Sequence, residues 1–275
     1  MTSVVPEISV CIPVYNGATY LRETLESVVS QEGVRLEIVV GDDGSSDDSM
    51  VIARSYAQNH TQHDWKLLAP SLRLGMTANW NACLKAASGE FVKVMGQDDL
   101  LYKGCLNRQA VLLRDHPKIS LVVSGCEIIS ARGKILFKRP RQRKEGVYPG
   151  LEMARECLVK RANLIGEPVT VLARRNDYLL LGGFSDNHRY YIDLEMWLRL
   201  LELGDCGIIE EAQCAFRIHG RAVSFNSQRR DFDQFEKLPG AHDIVAMLSP
   251  LQQQLRLLSA LTSTTLRSLV YSIFG

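Results

Sequence analysis

Glu90-Phe91-Val92-Lys93-Val94-Met95 runs directly into Gly96-Gln97-Asp98-Asp99. The apolar, partly β-branched run lies between two turn signals, Ser88-Gly89 and Gly96, and predicts a strand over 90–95. Two adjacent carboxylates at the end of a buried strand are costly to dehydrate unless a cation or hydrogen-bond donors meet them. In an open α/β sheet, that end of a strand is also where ligands bind. Paired hard oxygen donors suit Mg2+ or Mn2+, which takes one or two carboxylates and completes its shell with water and phosphate oxygens. The plainer reading of the pair by itself is a cap for the next helix, and the rest of the chain decides between the two.

Toward the N-terminus, Ile8-Ser9-Val10-Cys11-Ile12-Pro13-Val14 predicts a first strand, and Pro13 near its end withholds a ladder hydrogen bond. Tyr15-Asn16-Gly17 turns the chain into a helix with Leu21, Leu25, Val28 and Val29 on one face. Leu36 to Val40 predicts a second strand, ending at Gly41-Asp42-Asp43-Gly44. Ser46 is expected to cap the next helix, with Asp47 and Asp48 in its first turn and its end near Asn59. Trp65 to Ala69 predicts a third strand, and a helix follows Leu74-Gly75 through Ala87, closed by Gly89. Strand and helix thus alternate through the first hundred residues, the pattern of a parallel sheet covered on both faces. Parallel strands bring three pairs of ligand groups to one rim: Pro13 with Tyr15, Asp42 with Asp43, and Asp98 with Asp99.

Beyond the acids, a helix is expected over 105–115, then short strands over 119–123, 127–130 and 134–137 around turns at Gly125 and Arg132-Gly133. The basic run Lys138-Arg139-Pro140-Arg141-Gln142-Arg143-Lys144 is expected as a solvated loop, with a lid or a contact to an anionic acceptor or membrane surface as the alternative. A helix over 151–160, a strand over 168–173 and a short helix over 174–181 come next. Asp193 then opens an amphipathic helix that buries Leu194, Trp197, Leu198 and Leu201, and capping is its plain role. Strands follow over 206–209 and 214–218. The tail from 227 reads as helical. Its segment 251–274 carries leucines on one face and only Arg256 and Arg267 as charges, which suits a membrane surface, the domain itself or a second copy of the chain.

Composition narrows the classes. The 275 residues make one large domain or two small ones. An apolar fraction of 46% and a charged fraction of 23% are ordinary for a soluble globular protein, and a net charge of +1 favours neither nucleic acid nor acidic partners. The seven cysteines show no CxxC or His/Cys ligand spacing, which suits a reducing cytoplasm better than a disulfide framework. Met1 to Glu7 has neither a charged nor a long apolar stretch, so no signal peptide is expected, and no run of about 18 apolar residues predicts a membrane span. The first turn lacks the glycine-rich pattern of a dinucleotide-dependent oxidoreductase.

In order along the chain, Ile8 to Gly17, Ile38 to Asp47, Gly75 to Asn81, Ala87 to Phe91, Gln97-Asp98-Asp99, Gly182-Gly183-Phe184, Asp193 to Leu200 and Arg217-Ile218-His219 resemble the inverting nucleotide-sugar glycosyltransferases of family 2. That family has the GT-A fold: a Rossmann-like, mostly parallel α/β sheet flanked by helices. The resemblance covers about residues 7–225. It implies a nucleotide-binding half over 1–100, an acceptor half over 101–225 and a helical extension over 226–275.

The resemblance also implies roles. Pro13, Tyr15, Asp42 and Asp43 would line the nucleotide pocket, with Arg73 near the base or phosphate. Asp98 would meet the ribose or sugar, and Asp99 would hold Mn2+ or Mg2+ in the family's DxD-type motif, with His219 reaching the metal or diphosphate. Asp193 would be the general base. Two positions depart from the pattern: Gln97 stands where many members have another acid, and Ile192 where many have Glu.

In-line displacement needs a carboxylate to take the acceptor's proton and a cation to stabilise the leaving diphosphate. The implied activity is hexosyl or N-acetylhexosaminyl transfer from a UDP-sugar to a hydroxyl of a glycan or glycolipid, as in surface polysaccharide synthesis on the cytoplasmic side of a membrane. Transfer to a polyprenyl phosphate, which needs no base, and a non-catalytic nucleotide-binding module are the alternatives. A homo-oligomer stays open.

Overall fold

The computed structural model describes residues 6–139, 141, 143–188, 191–220 and 235–241. Its first half follows the expected alternation: β1 (Ile8–Val14), α1 (Leu21–Val29), β2 (Leu36–Asp42), α2 (Ser49–Asn59), β3 (Asp64–Leu68), α3 (Met76–Ala86) and β4 (Phe91–Val94). Then come β5 (Leu100–Leu101), α4 (Cys105–Asp115), β6 (Ile119–Ser130), β7 (Ile135–Arg139), β8 (Gly146–Tyr148), α5 (Gly150–Lys160), β9 (Val171–Arg174), α6 (Arg175–Leu180), α7 (Ile192–Leu203) and β10 (Asp205–Ile218).

One mixed sheet runs in the order β3-β2-β1-β4-β9-β6-β10-β5, with β7 added to β6 and β8 to β10. β3, β2, β1 and β4 are parallel neighbours. β9 is antiparallel to both β4 and β6, and β10 is parallel to β6, so β10 runs in the direction of β4. The carboxyl ends of β1, β2, β4 and β10 therefore share one rim.

Both faces of the sheet are buried, which is why its strands read as near-continuous apolar runs. Alternate residues serve opposite cores. Val10, Ile12, Ile38 and Val40 pack with Leu21, Leu25 and Val28 of α1 and Leu106 and Leu113 of α4. Cys11, Val39, Val92 and Val94 pack on the other face with Met153 and Leu158 of α5 and Leu194, Trp197, Leu198 and Leu201 of α7. All seven cysteines are buried and unpaired.

Four local expectations are corrected. Gly125 is not a turn: β6 passes through it unbroken, and β10 likewise spans 205–218 as one strand. The two pair across register shifts between Ile209 and Cys214. This bulge brings the Glu210 and Glu211 main chain so close that a Cβ on Gly125 would lie 2.5 Å from the Glu210 carbonyl oxygen.

α2 starts at Ser49, so Asp47 and Asp48 precede it. Asp47 instead accepts hydrogen bonds from the N–H groups of Ala18 and Ser49 and the Ser49 hydroxyl, which hold its carboxyl below the usual range against the opposing effect of burial. Residues 168–170 form a 3-10 turn before β9 rather than strand.

The basic run is not a solvated loop. Arg139 ends β7 and pairs with Glu167. Arg141 donates to the carbonyls of Leu164, Ile165 and Ser124. Arg143 pairs with Glu152 and Glu156 of α5 and lies over the Tyr148 ring. The three arginines are thus engaged internally, while Lys138 and Lys144 stay exposed. The expectation for 251–274 lies outside the described residues. Among the described residues, no helix is long and apolar enough to cross a membrane.

Candidate functional site

The rim carries the expected groups, held by side chains from both halves of the chain. Pro13 lies opposite Gly41, and Val14 opposite Asp42, in the β1–β2 register. Asp42 is buried and its carboxylate accepts from Ser45 N–H. Asp43 is buried too, and its carboxylate is taken up by the loop that follows β3: it accepts from the N–H groups of Leu74 and Gly75 and from Arg73 Nε at 3.4 Å. Its structural work is to hold the loop before α3. Arg73 in turn lies 3.7 Å over the half-exposed ring of Tyr15. Asp43, Arg73 and Tyr15 thus form one stack.

β4 ends beside β1, with Met95 N–H donating to Cys11 O, so the acid turn follows next to the β1 exit. Asp99 is 2% exposed, and its Oδ1 accepts from Arg217 N–H at 3.1 Å. Burial pushes the Asp99 carboxyl well above the usual carboxylate range, the adjacent Asp98 pushes the same way, and the Arg217 N–H pulls back. Asp98 Oδ2 lies 2.6 Å from His219 Nε2, and the His219 ring packs on Tyr20 at 4.8 Å between centroids.

Two carboxylate oxygens are left to test against a divalent cation. A Cβ built on Gly96 would lie 2.7 Å from Asp98 Oδ1 and 2.9 Å from Asp99 Oδ2, so both carboxylates pack against the turn at a closeness that only glycine allows. Two hard carboxylate oxygens crowded on one turn are of the donor type that Mg2+ or Mn2+ carrying phosphate takes. Among the described residues, no set of three His, Cys, Asp or Glu side chains is arranged for a metal. The contact of His219 with the acid turn is to Asp98.

Asp193 sits in the first turn of α7, after Tyr191 as cap. Its Oδ1 accepts from Leu194 N–H and its Oδ2 from Asn163 Nδ2 at 3.0 Å. Asn163 is fixed in turn by Gly166, whose N–H donates to Asn163 Oδ1 and whose carbonyl accepts from Asn163 Nδ2 and Trp197 Nε1. Arg139 is held protonated chiefly by the charge of its partner Glu167, with Asp193 a lesser contributor.

Several of these residues carry no signal of their own in the sequence. Arg217 is 1% exposed and spans the site floor: Nε donates to Asp98 O, Nη1 to Ala131 O and Nη2 to Glu23 Oε2. Tyr20, Glu23, Asn163 and Glu167 join the site only through the fold. Arg217 lies within a matched stretch, yet its work under the acid turn shows only when β10 is placed beside β5.

Residues 9–164 match the model of glycosyl transferase family 2. The chain belongs to glycosyl transferase family 2. An uncharacterized protein of Mycobacterium tuberculosis is 34% identical over 205 residues, which are 71% of this chain and 62% of that protein. The structure of S. aureus TarS in complex with UDP-GlcNAc matches with a TM-score of 0.67 at 19% identity, over 80% of this chain and 61% of that one. The mannosyltransferase PcManGT of Pyrobaculum calidifontis, in complex with GDP-Man and Mn2+, matches with a TM-score of 0.65 at 20% identity, over 98% and 85%. At such identities the likeness establishes the fold, the GT-A arrangement of a mixed sheet between helices. The chain spans about three fifths of the length of the first two of these relatives.

Proposed function

We propose that this family 2 glycosyltransferase is an inverting, metal-dependent enzyme that moves a sugar from a UDP-sugar to a hydroxyl of a glycan or glycolipid. The observation that carries the proposal is the separation of acids into two settings. Asp98 and Asp99 crowd one turn at the strand rim, while Asp193 stands at a helix start with an amide partner, Asn163. A single displacement has those two needs, charge stabilisation on the leaving side and proton removal on the attacking side.

Tyr15 and Asp42 would take the base and ribose beside Pro13, with Arg73 along the base or phosphate. A divalent cation held by Asp99 and Asp98, with His219 beside them, would neutralise charge developing on the departing diphosphate. Asp193 would accept the proton of the attacking hydroxyl, and Asn163 and the Leu194 N–H orient its two oxygens. TarS bound to UDP-GlcNAc, and PcManGT bound to GDP-Man and Mn2+, support a nucleotide-sugar donor and a metal of this class. The sugar is read as hexosyl or N-acetylhexosaminyl and the setting as surface polysaccharide synthesis on the cytoplasmic side of a membrane.

Asp193→Asn is the test. It should lower kcat by about 10²–10⁴-fold, the range of a lost general base, and leave UDP affinity within about twofold. Full activity would remove Asp193 from the base role and favour an acceptor that is already anionic, such as a polyprenyl phosphate.

A further inference from the structure

We infer that Gln97 is a positioning residue that couples the donor-base pocket to the acid turn by clamping the main chain of Tyr15. The inference rests on the nucleotide-sugar reading for its functional consequence, but its geometry stands independently.

Four successive N–H groups of the turn after β1 are each taken by a side chain. Tyr15 N–H donates to Gln97 Oε1, Asn16 N–H to Ser45 Oγ, Gly17 N–H to Ser49 Oγ and Ala18 N–H to Asp47 Oδ2, all at 2.9 Å. Two of these acceptors, Ser45 and Asp47, belong to the loop after β2, and Ser49 opens α2. Gln97 alone among the four comes from the acid turn. It also closes a second bond, donating from Nε2 to Tyr15 O at 3.2 Å. One side-chain amide thereby reads both polar groups of one residue, as a neighbouring strand would.

Gln97 is itself fixed. Its carbonyl accepts from the buried Thr24 hydroxyl of α1 at 2.8 Å. The amide lies against Gly17, where any Cβ would overlap it. A carboxylate at position 97 would keep the acceptor and lose the donor, and would turn charge toward the Tyr15 carbonyl. The amide that replaces the family's frequent third acid is therefore not a lost metal ligand. It ties the residue carrying the Tyr15 ring, and Arg73 stacked over it, to the turn that presents Asp98 and Asp99.

The test compares Gln97→Met, which removes both bonds at similar volume, with Gln97→Glu, which removes only the donor. In the ligand-free protein, amide exchange at Tyr15 should quicken by about tenfold or more in Q97M while Val39 in the buried β2 stays unchanged; Q97E should keep much of the protection. UDP affinity should weaken by about tenfold in Q97M, the worth of one to two hydrogen bonds, and by less in Q97E. KM for UDP-GlcNAc hydrolysis should rise by more than kcat falls. Unchanged Tyr15 exchange in Q97M would overturn the clamp. Faster exchange with unchanged UDP affinity and KM would overturn the coupling. Should Q97M fail to fold, the rise in KM of Q97E decides. A wild-type protein that binds neither UDP nor UDP-GlcNAc would overturn the donor reading and the coupling, and Tyr15 exchange would then judge the clamp alone.

Discussion

Replacing Arg217 by methionine should loosen the floor of the site and destabilise the whole domain. The arginine is 1% exposed, and its guanidinium donates to the carbonyls of Asp98 and Ala131 and to Glu23. Methionine fills similar space but supplies no donor, so two carbonyl oxygens in a buried setting lose a partner, at about 1–3 kcal/mol each. The Glu23 contact adds little, because that carboxylate is 59% exposed and returns to water on substitution. Loss of the guanidinium from the face of Tyr20, 4.7 Å away, adds about 0.5–1 kcal/mol. The sum is about 2.5–7 kcal/mol. At about 2–4 °C per kcal/mol for a domain approaching this size, the melting temperature should fall by at least about 5 °C. Scanning calorimetry gives the stability, and calorimetric titration with UDP and Mn2+ gives the site. Because the Arg217 N–H to Asp99 belongs to the main chain, metal response should weaken without vanishing. A variant within 0.5 kcal/mol of wild type, by the usual noise of surface substitutions, would refute the view that Arg217 supports the acid turn.

Asp99→Asn should remove the stabilisation by Mn2+; at a concentration about 100-fold above Kd that stabilisation is about 2.7 kcal/mol in the wild type, and an equal response in the variant would exclude Asp99 as a ligand. Gly125→Ala should cost about 1–3 kcal/mol in urea unfolding, because its Cβ would meet main-chain atoms of the β10 bulge that cannot turn aside. Lys93 is fully buried, donates to the carbonyls of Val169 and Val171, and burial lowers its pKa. The unfolded chain, with an ordinary lysine near pKa 10.4, then binds more protons than the folded one. Wild-type stability should therefore rise with pH from the lowered folded value up to about 10.4, relative to Lys93→Met, and parallel pH curves for the two would contradict the burial of a titrating amine.

How much was legible before the fold was known varies by element, for identifiable reasons. The alternation through β4 and the buried faces of α1 and α7 were readable because each is a local period, two for strands and 3.6 for helices. The breaks expected at Gly125 and between Ile209 and Cys214 failed because a bulge between two long strands looks, in one dimension, like two short strands. The basic run over 138–144 was misread for a related reason. Charge in sequence suggests solvent, and nothing local announces that Glu167, Glu152, Glu156 and a set of carbonyl groups will enclose its arginines.

The sequence by itself determined the family, the parallel half of the sheet, and a rim where Pro13, Tyr15, Asp42, Asp98 and Asp99 gather. Adjacent parallel strands place such groups together by geometry alone. Only the tertiary structure decided what each side chain is engaged with. Asp43 turned to the loop before α3, His219 to Asp98, Asn163 to Asp193, and Gln97 to the main chain of Tyr15. These are hydrogen bonds between residues 30 to 121 positions apart. Their partners are set by how loops and elements distant in sequence pack against one another, β10 on the acid turn for His219 and the rim loops on each other for Asp43 and Gln97, and no local propensity encodes that packing.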